Sequence, residues 1–126
     1  MKKFPLITGL VTLIIIVGGI FLLSRPQNNS PIPSPNPNAY EYFWGDGCPH
    51  CAKVEEFFSS WDKKDKVNID KKEVWENPAN ARIMAERAKS CNIPANELGV
   101  PLLYTPDGKC LIGDTPIIDF FKNIPL

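Results

Sequence analysis

The amino-acid sequence predicts an α/β domain with a four-stranded mixed sheet and about three helices, preceded by an N-terminal transmembrane helix. Three observations predict this arrangement. From residue 39 onward, short strand-like apolar runs alternate with segments of helical periodicity. Near the C-terminus, two strand-like runs flank the sequence Pro-Asp-Gly, which is typical of a hairpin turn. Residues 4 to 23 carry no charge, and their number is about what a helix needs to cross a bilayer.

The uncharged N-terminal stretch is interpreted as a membrane anchor formed by residues 1 to 24, or as an uncleaved signal sequence. A cleaved signal peptide is the rival interpretation, but its apolar region normally spans only about 7 to 15 residues and ends in a small-x-small site. Lys2 and Lys3 precede the stretch, and Arg25 follows it. This charge bias predicts a cytoplasmic N-terminus, with the rest of the chain outside the cytoplasm.

Residues 25 to 38, with the sequence RPQNNSPIPSPNPN, form a proline-rich segment before the first predicted strand. Prolines that alternate with small polar residues bury little apolar surface and favour an extended polyproline conformation. The segment is therefore predicted to be a linker between the anchor and a folded domain of residues 39 to 126. A proline-rich ligand for a recognition domain is the alternative interpretation.

The charge balance argues against one class of partner. Without Lys2, Lys3 and Arg25, the chain keeps 11 basic and 14 acidic residues, a formal net charge of −3. No basic stripe is available to neutralise phosphates, so nucleic acid is not expected as a partner.

The first half of the predicted domain consists of a strand, a helix and a second strand. AYEYFW, residues 39 to 44, is an aromatic-rich run that ends at the turn sequence Gly-Asp-Gly, which indicates a buried strand. A helix follows, because apolar side chains recur there at helical spacings between charged ones. These apolar residues are Ala52, Val54, Phe57, Phe58 and Trp61. VNID, residues 67 to 70, is predicted to be the second strand.

The second half begins with a helix that Asn77 caps and Pro78 opens, and that ends at about Cys91. PLLYT, residues 101 to 105, and KCLIG, residues 109 to 113, are predicted to pair as a hairpin. A last helix, opened by a Thr-Pro pair at residues 115 and 116, carries an apolar stripe. Strands joined through a helix should be parallel, and the hairpin should add an antiparallel pair.

Cys48 and Cys51 stand two residues apart in the sequence CPHC, at the predicted start of a helix. Zinc sites commonly use two close cysteine pairs, whereas Cys91 and Cys110 stand alone. Covalent haem attachment requires a histidine directly after the second cysteine, and Ala52 occupies that position. A structural disulfide across so small a loop would stabilise the fold little. The spacing therefore predicts a pair of redox-active thiols, with no metal and no cofactor.

The positions on the helix predict different roles for the residues of this motif. Cys48 lies at the helix N-terminus, where unpaired N–H groups and the helix dipole favour the thiolate that attacks disulfides. Cys51, one turn inward, is predicted to resolve the mixed disulfide. Pro49 stiffens the turn between them. A protonated His50 would also favour the thiolate, and an exposed polar residue without a redox role is the alternative interpretation of His50.

Two segments resemble motifs of the thioredoxin superfamily: FWGDGCPHC, residues 43 to 51, and GVP, residues 99 to 101. The Pro-His dipeptide is similar to that of the Dsb-type periplasmic disulfide oxidoreductases. The resemblance covers roughly residues 39 to 124 and implies a three-layer, thioredoxin-like fold of glutaredoxin size. It also implies that Pro101 follows a cis peptide bond opposite the cysteine pair, and that Val100 offers backbone groups to a substrate chain.

The sequence departs from the family pattern at two places. Tyr42 stands where thioredoxins carry a buried acid, and strand alternation should turn the neighbouring Glu41 to the opposite face. IGD, residues 112 to 114, matches only part of the paired glycines that glutaredoxins place around glutathione, so glutathione is not expected as a dedicated cofactor.

Cys91 and Cys110 leave three interpretations open. In an oxidising compartment, four cysteines favour a second disulfide between these two. The topology implied by the resemblance would place them at opposite ends of the sheet, which favours buried free thiols. A relay of electrons to the CPHC pair is the third interpretation.

Together these observations predict a membrane-tethered, extracytoplasmic thiol-disulfide oxidoreductase that acts on cysteine-containing proteins and is reset by a redox partner protein. Oxidation or isomerisation is favoured over reduction, because a stabilised thiolate makes the protein disulfide a better oxidant. The alternative is a binding module that holds a soft metal, Cu(I) or zinc, through Cys48 and Cys51, with His50 as a further candidate ligand.

Overall fold

The computed structural model describes residues 4–23 and 30–126. The chain forms two compact units, Met1–Pro31 and Ile32–Leu126. The basic residues behind the predicted membrane orientation, Lys2, Lys3 and Arg25, lie outside the described residues, as does the predicted linker up to residue 29.

The first unit contains helix α1, Phe4–Leu23, which has no acidic residue in its first turn and no basic residue in its last. Within residues 4–23 and 30–126, no helix combines the length and the apolar character needed to span a membrane. The transmembrane helix predicted from the sequence is therefore not supported by the structure.

The second unit is built on a mixed sheet of four strands, in the order β2-β1-β3-β4. The strands are β1, Tyr40–Trp44; β2, Ile69–Glu73; β3, Leu102–Tyr104; and β4, Cys110–Ile112. β1 pairs in parallel with β2 and antiparallel with β3, and β3 pairs antiparallel with β4. The prediction of an α/β domain with a four-stranded mixed sheet is confirmed.

Strand β2 lies further along the chain than the prediction of residues 67 to 70. Its register runs from Tyr40 opposite Ile69 to Trp44 opposite Glu73. β2 is an edge strand, and its backbone forms hydrogen bonds with one neighbouring strand, β1. An edge strand can carry polar side chains and does not need a continuous apolar run. The polar sequence IDKKE therefore forms a strand that hydrophobicity alone did not predict.

Three α-helices cover the two faces of the sheet, and a short 3-10 helix, Lys64–Lys66, follows the first of them. They are α2, Pro49–Ser60; α3, Pro78–Ser90; and α4, Asp114–Asn123. Asn77 caps α3 as predicted, because its Oδ1 accepts hydrogen bonds from the N–H groups of Ala79 and Asn80 at 3.1 and 3.2 Å.

Strand alternation divides the core into two clusters, one on each face of the sheet. Tyr42 and Leu103 face α2 and α4, where they pack with Phe58 and Phe121. Phe43 and its neighbours on β3 face α3. The domain therefore has three layers, with α2 and α4 on one side of the sheet and α3 on the other.

A buried ion pair joins β1 to α3 within the second cluster. Arg87 Nε donates to Glu41 Oε2 at 2.6 Å, and only 4% of the surface of either residue is exposed. Arg87 Nη2 also donates to the carbonyl oxygen of Pro33 at 2.8 Å. Glu41 thus faces away from Tyr42, as alternation predicts. Because Arg87 contacts Pro33 and Ile32 packs on the same cluster, the domain includes residues 32 and 33 of the predicted linker.

Candidate redox site

The cysteine pair lies where β1 passes into α2. Gly47 has a φ of +76°, a left-handed conformation that glycine adopts at low cost, and it turns the chain into the helix. Cys48 N–H donates to the carbonyl oxygen of Gly45 at 3.2 Å, which closes the turn. Cys48 is the N-cap residue, and Pro49 is the first residue of α2. The local sequence therefore places Cys48 at the helix tip, as predicted.

Cys48 and Cys51 are joined by a disulfide, with their Cα atoms 5.2 Å apart. Cys51 N–H donates to Cys48 Sγ at 3.1 Å, which is the capping bond of the helix. A backbone donor at this distance would stabilise negative charge on the Cys48 sulfur once the disulfide is opened. Both cysteines are buried, with 7% of the Cys48 surface and 2% of the Cys51 surface exposed, so Cys48 is the more accessible of the two.

Val100 and Pro101 lie opposite the helix tip. The peptide bond between them is cis, as the resemblance implies. The carbonyl oxygen of Val100 lies 4.0 Å from Cys48 Sγ. Gly113 N–H donates to the carbonyl oxygen of Pro101 at 2.9 Å, which fixes this segment beside the start of α4. The structure thus brings Val100 and the cysteine pair together, although they are far apart in sequence.

His50 points to an acidic partner on α4. Its Nδ1 lies 3.3 Å from Asp114 Oδ2, and Lys53 Nζ lies 3.2 Å from the same oxygen. The hydrogen bond from His50, followed by that from Lys53, lowers the pKa of Asp114 from 3.8 to about 2. Sequence reasoning did not identify Asp114 as part of the site. The sequence signal that could have identified Asp114 is an acidic residue in the first turn of a predicted helix, where the helix dipole favours negative charge.

Tyr42, on β1, contacts the first turn of α2. Its hydroxyl group donates to the carbonyl oxygen of Cys51 at 3.3 Å. Burial, followed by the negative charge of Glu55, raises the pKa of Tyr42 far above its ordinary value. The hydroxyl group therefore stays neutral and acts as a hydrogen-bond donor rather than as a proton acceptor.

Glu55 is a second residue that sequence reasoning missed. It lines a groove together with residues 44 to 49, Cys51 and Ala52. Its Oε2 pairs with Lys71 on β2. Among the described residues, its Oε1 is a buried oxygen without a hydrogen-bond partner. Glu55 follows Cys51 by four positions, so helical periodicity already placed both on one face of α2.

Cys91 and Cys110 form a second disulfide, with Cα atoms 6.1 Å apart. The expectation that they lie at opposite ends of the sheet is wrong. Because β2 is parallel to β1, α3 runs back along the sheet and ends beside the β3–β4 turn, where Cys91 Sγ is 3.6 Å from the carbonyl oxygen of Gly108. Residues 92 to 100 then return to Pro101. The bridge thus lies at the end of the sheet away from Cys48, which argues against an electron relay.

Within residues 4–23 and 30–126, no group of three or more His, Cys, Asp or Glu side chains is placed to hold a metal ion. Among these residues, His50 therefore does not complete a three-ligand group with Cys48 and Cys51 for the soft-metal alternative. Comparison with protein-family models, with curated proteins and with solved structures returned no match. The assignment of a function depends on the geometry of the site.

Proposed function

We propose that the domain is a thioredoxin-like thiol-disulfide oxidoreductase that acts on cysteine-containing proteins. The observation that carries the proposal is the Cys48–Cys51 disulfide at the N-terminus of α2, with the Val100 carbonyl oxygen 4.0 Å from Cys48 Sγ. A disulfide across two residues contributes little stability but can open and close without moving the rest of the fold. A nearby backbone carbonyl offers a hydrogen-bond acceptor to a substrate chain.

The exchange balances as two successive thiolate attacks. A substrate thiolate attacks Cys48 Sγ, a substrate–Cys48 disulfide forms, and Cys51 leaves as a thiolate that takes up a proton. A second substrate thiolate then attacks the substrate sulfur of the mixed disulfide, and Cys48 leaves as a thiolate. Two electrons pass from the substrate thiols to the protein disulfide. A redox partner protein would reverse these steps to restore the Cys48–Cys51 bond.

The environment of Cys48 favours oxidation or isomerisation over reduction. The N–H group of Cys51 and the N-terminal end of α2 both face the Cys48 sulfur and stabilise its thiolate. A stabilised thiolate lowers the free energy of the reduced protein, so the disulfide becomes a stronger oxidant. The neutral Tyr42 adds no negative charge beneath the pair that would oppose this effect.

The second disulfide indicates the kind of cellular compartment, oxidising or reducing, in which the domain works. Structural disulfides persist in oxidising environments and are rare where thioredoxin and glutathione keep thiols reduced. Cys91 and Cys110 form a bridge that lies apart from the redox pair. This bridge supports the proposal that the domain works outside the cytoplasm.

The experiment is the capture of mixed disulfides in cells. The variant Cys51→Ser leaves the Cys48 thiolate able to attack a substrate disulfide, as in isomerisation, but removes the thiol that would then attack Cys48 Sγ and release the substrate. Adducts of this variant with other proteins should accumulate and should disappear on reduction. Cys48→Ser is the matched control, because it leaves only the more buried cysteine. Equal adduct levels in the two variants, or none in either, would contradict the proposal.

A further inference from the structure

Trp75 is a large aromatic side chain that the fold leaves exposed. It lies in the loop between β2 and α3, and 59% of its surface is accessible. Within the described part of the second unit, the other large exposed apolar residues are Ile112 and Leu126. Isolated exposed apolar residues are ordinary, so the argument depends on where Trp75 lies and how it is held.

The indole of Trp75 lies against the backbone that leads into the redox pair. A Cβ atom at Gly45 would overlap the Trp75 ring, so the packing of the ring requires glycine there. The carbonyl oxygen of Gly45 accepts the N–H of Cys48 at 3.2 Å. Trp75 thus packs on Gly45, and Gly45 in turn forms a hydrogen bond with Cys48, whose Sγ is the atom that a substrate thiolate attacks.

Glu73 holds the Trp75 loop against the same turn. Its Oε1 accepts hydrogen bonds from the N–H groups of Trp75 at 2.8 Å and of Asp46 at 3.3 Å, and its Oε2 accepts from Glu76 and Asn77 at 2.8 and 3.2 Å. Partial burial raises the pKa of Glu73, but the four backbone donors outweigh it, so the pKa lies below its ordinary value. One carboxylate therefore links both loops and holds the backbone of Trp75, while Gly45 packs against the ring.

We infer that Trp75 is a docking shelf for an extended polypeptide, on which an apolar or aromatic side chain close to the reacting cysteine of the substrate packs. This inference rests on the proposed function. It identifies the substrate class as unfolded or extended chain segments with an apolar residue near cysteine.

The surroundings of Cys48 favour this occupant. The Val100 carbonyl oxygen lies 4.0 Å from Cys48 Sγ, and Trp44 and Gly45 line a groove together with Cys48, so we expect a chain bonded to Cys48 to run beside both. An extended chain advances about 3.3 Å per residue, so side chains within a few positions of its cysteine reach the indole beside Gly45. Small thiols such as glutathione offer no such side chain. Asp46 and Glu76 are exposed beside the shelf and would repel an acidic residue there.

The test uses the oxidised full-length protein and three reduced peptides, each with one cysteine and either tryptophan, alanine or glutamate two positions away. Each peptide thiolate attacks Cys48 Sγ, forms a peptide–Cys48 disulfide and releases the Cys51 thiolate. Rates are measured by acid quench and mass spectrometry, with glutathione as the small-thiol reference. The variants are Trp75→Ala, Trp75→Phe and Leu126→Ala, the last a matched loss of an exposed apolar side chain.

In the parent protein, the tryptophan peptide should react faster than the alanine peptide, and the glutamate peptide should react slowest. Trp75→Ala should slow the tryptophan peptide by about tenfold more than it slows glutathione, as expected for the loss of an aromatic anchor at an interface. Trp75→Phe should retain most of the preference, and Leu126→Ala should retain all of it.

Two outcomes would overturn the shelf while the proposed function stands. One is an equal slowing of all peptides and of glutathione by Trp75→Ala, because this would indicate a purely structural role for the indole. The other is equal rates for the tryptophan and alanine peptides in the parent protein. A parent protein that reacts with none of the thiols would instead overturn the proposed function, and the shelf with it.

Discussion

Replacement of the second disulfide, in the variant C91A/C110A, should lower the free energy of unfolding by about 3 kcal/mol. The two cysteines are 19 positions apart. The chain-entropy treatment assigns a loop of this length about 11 cal/mol/K, which is about 3 kcal/mol near room temperature. For Cys48 and Cys51, which are 3 positions apart, the same treatment gives only about 1.6 kcal/mol.

The location of the bridge supports a large effect. It joins the C-terminal end of α3 to the first residue of β4. β4 is an edge strand of three residues that pairs only with β3 among the described strands. A short edge strand has few other contacts to keep it in place, so the covalent link to α3 restricts both elements. Since small domains are typically stable by about 5–15 kcal/mol, the loss would be easy to detect.

The assay is urea unfolding followed by far-ultraviolet circular dichroism, on the oxidised parent protein, on C91A/C110A and on C48A/C51A. We expect the midpoint to fall furthest in C91A/C110A, with similar slopes for all three proteins. Should C48A/C51A lose as much stability as C91A/C110A, or more, the division into a structural and a redox disulfide would be refuted.

Three further predictions concern charged groups. Glu41→Gln leaves Arg87 buried without a charged partner, so it should cost about 3 kcal/mol or more in the same urea assay, whereas the exposed Glu86→Gln should cost little. The pKa of Asp114 is lowered in the folded protein, so its contribution to stability is complete above 3.8 and is lost as the pH falls toward about 2. Thermal unfolding of Asp114→Asn should therefore depend less on pH across that window than unfolding of the parent, and identical profiles would contradict this origin. Glu55 Oε1 is buried without a hydrogen-bond partner among the described residues and lines the same groove as Cys51; if it accepts the Cys51 proton, Glu55→Gln should slow the attack of Cys51 on a mixed disulfide by about tenfold or more, with the exposed Glu56→Gln as control. Equal release rates for these two variants would argue against that role.

Local sequence patterns predict most of the architecture because the signals are short in range. The aromatic-rich run AYEYFW with its following turn, the helical periodicity after Cys51 and the Asn-Pro pair at the start of α3 each describe a few neighbouring residues. The same holds for the redox pair, since the turn at Gly47 and the helix start at Pro49 lie within the motif. The cis bond before Pro101 is different in kind, because the expectation came from the resemblance and not from the residues themselves.

The sequence alone could not predict contacts between residues that are distant along the chain. The pairing of Glu41 with Arg87, of His50 with Asp114 and of Trp75 with Gly45 depends on how helices and loops meet across the sheet. The sequence leaves the second disulfide open for the same reason, and the expectation that α3 ends at the other end of the sheet from the hairpin turn is wrong.

By itself, the sequence determined the order of elements, the mixed sheet and the position of the cysteine pair at a helix tip, since each follows from backbone preferences and side-chain spacing over a few residues. Only the tertiary structure decided that α3 ends beside the β3–β4 turn, that Asp114 reaches His50, and that Trp75 covers Gly45. The physical reason is that these contacts depend on the direction and packing of whole elements, which no short stretch of sequence encodes.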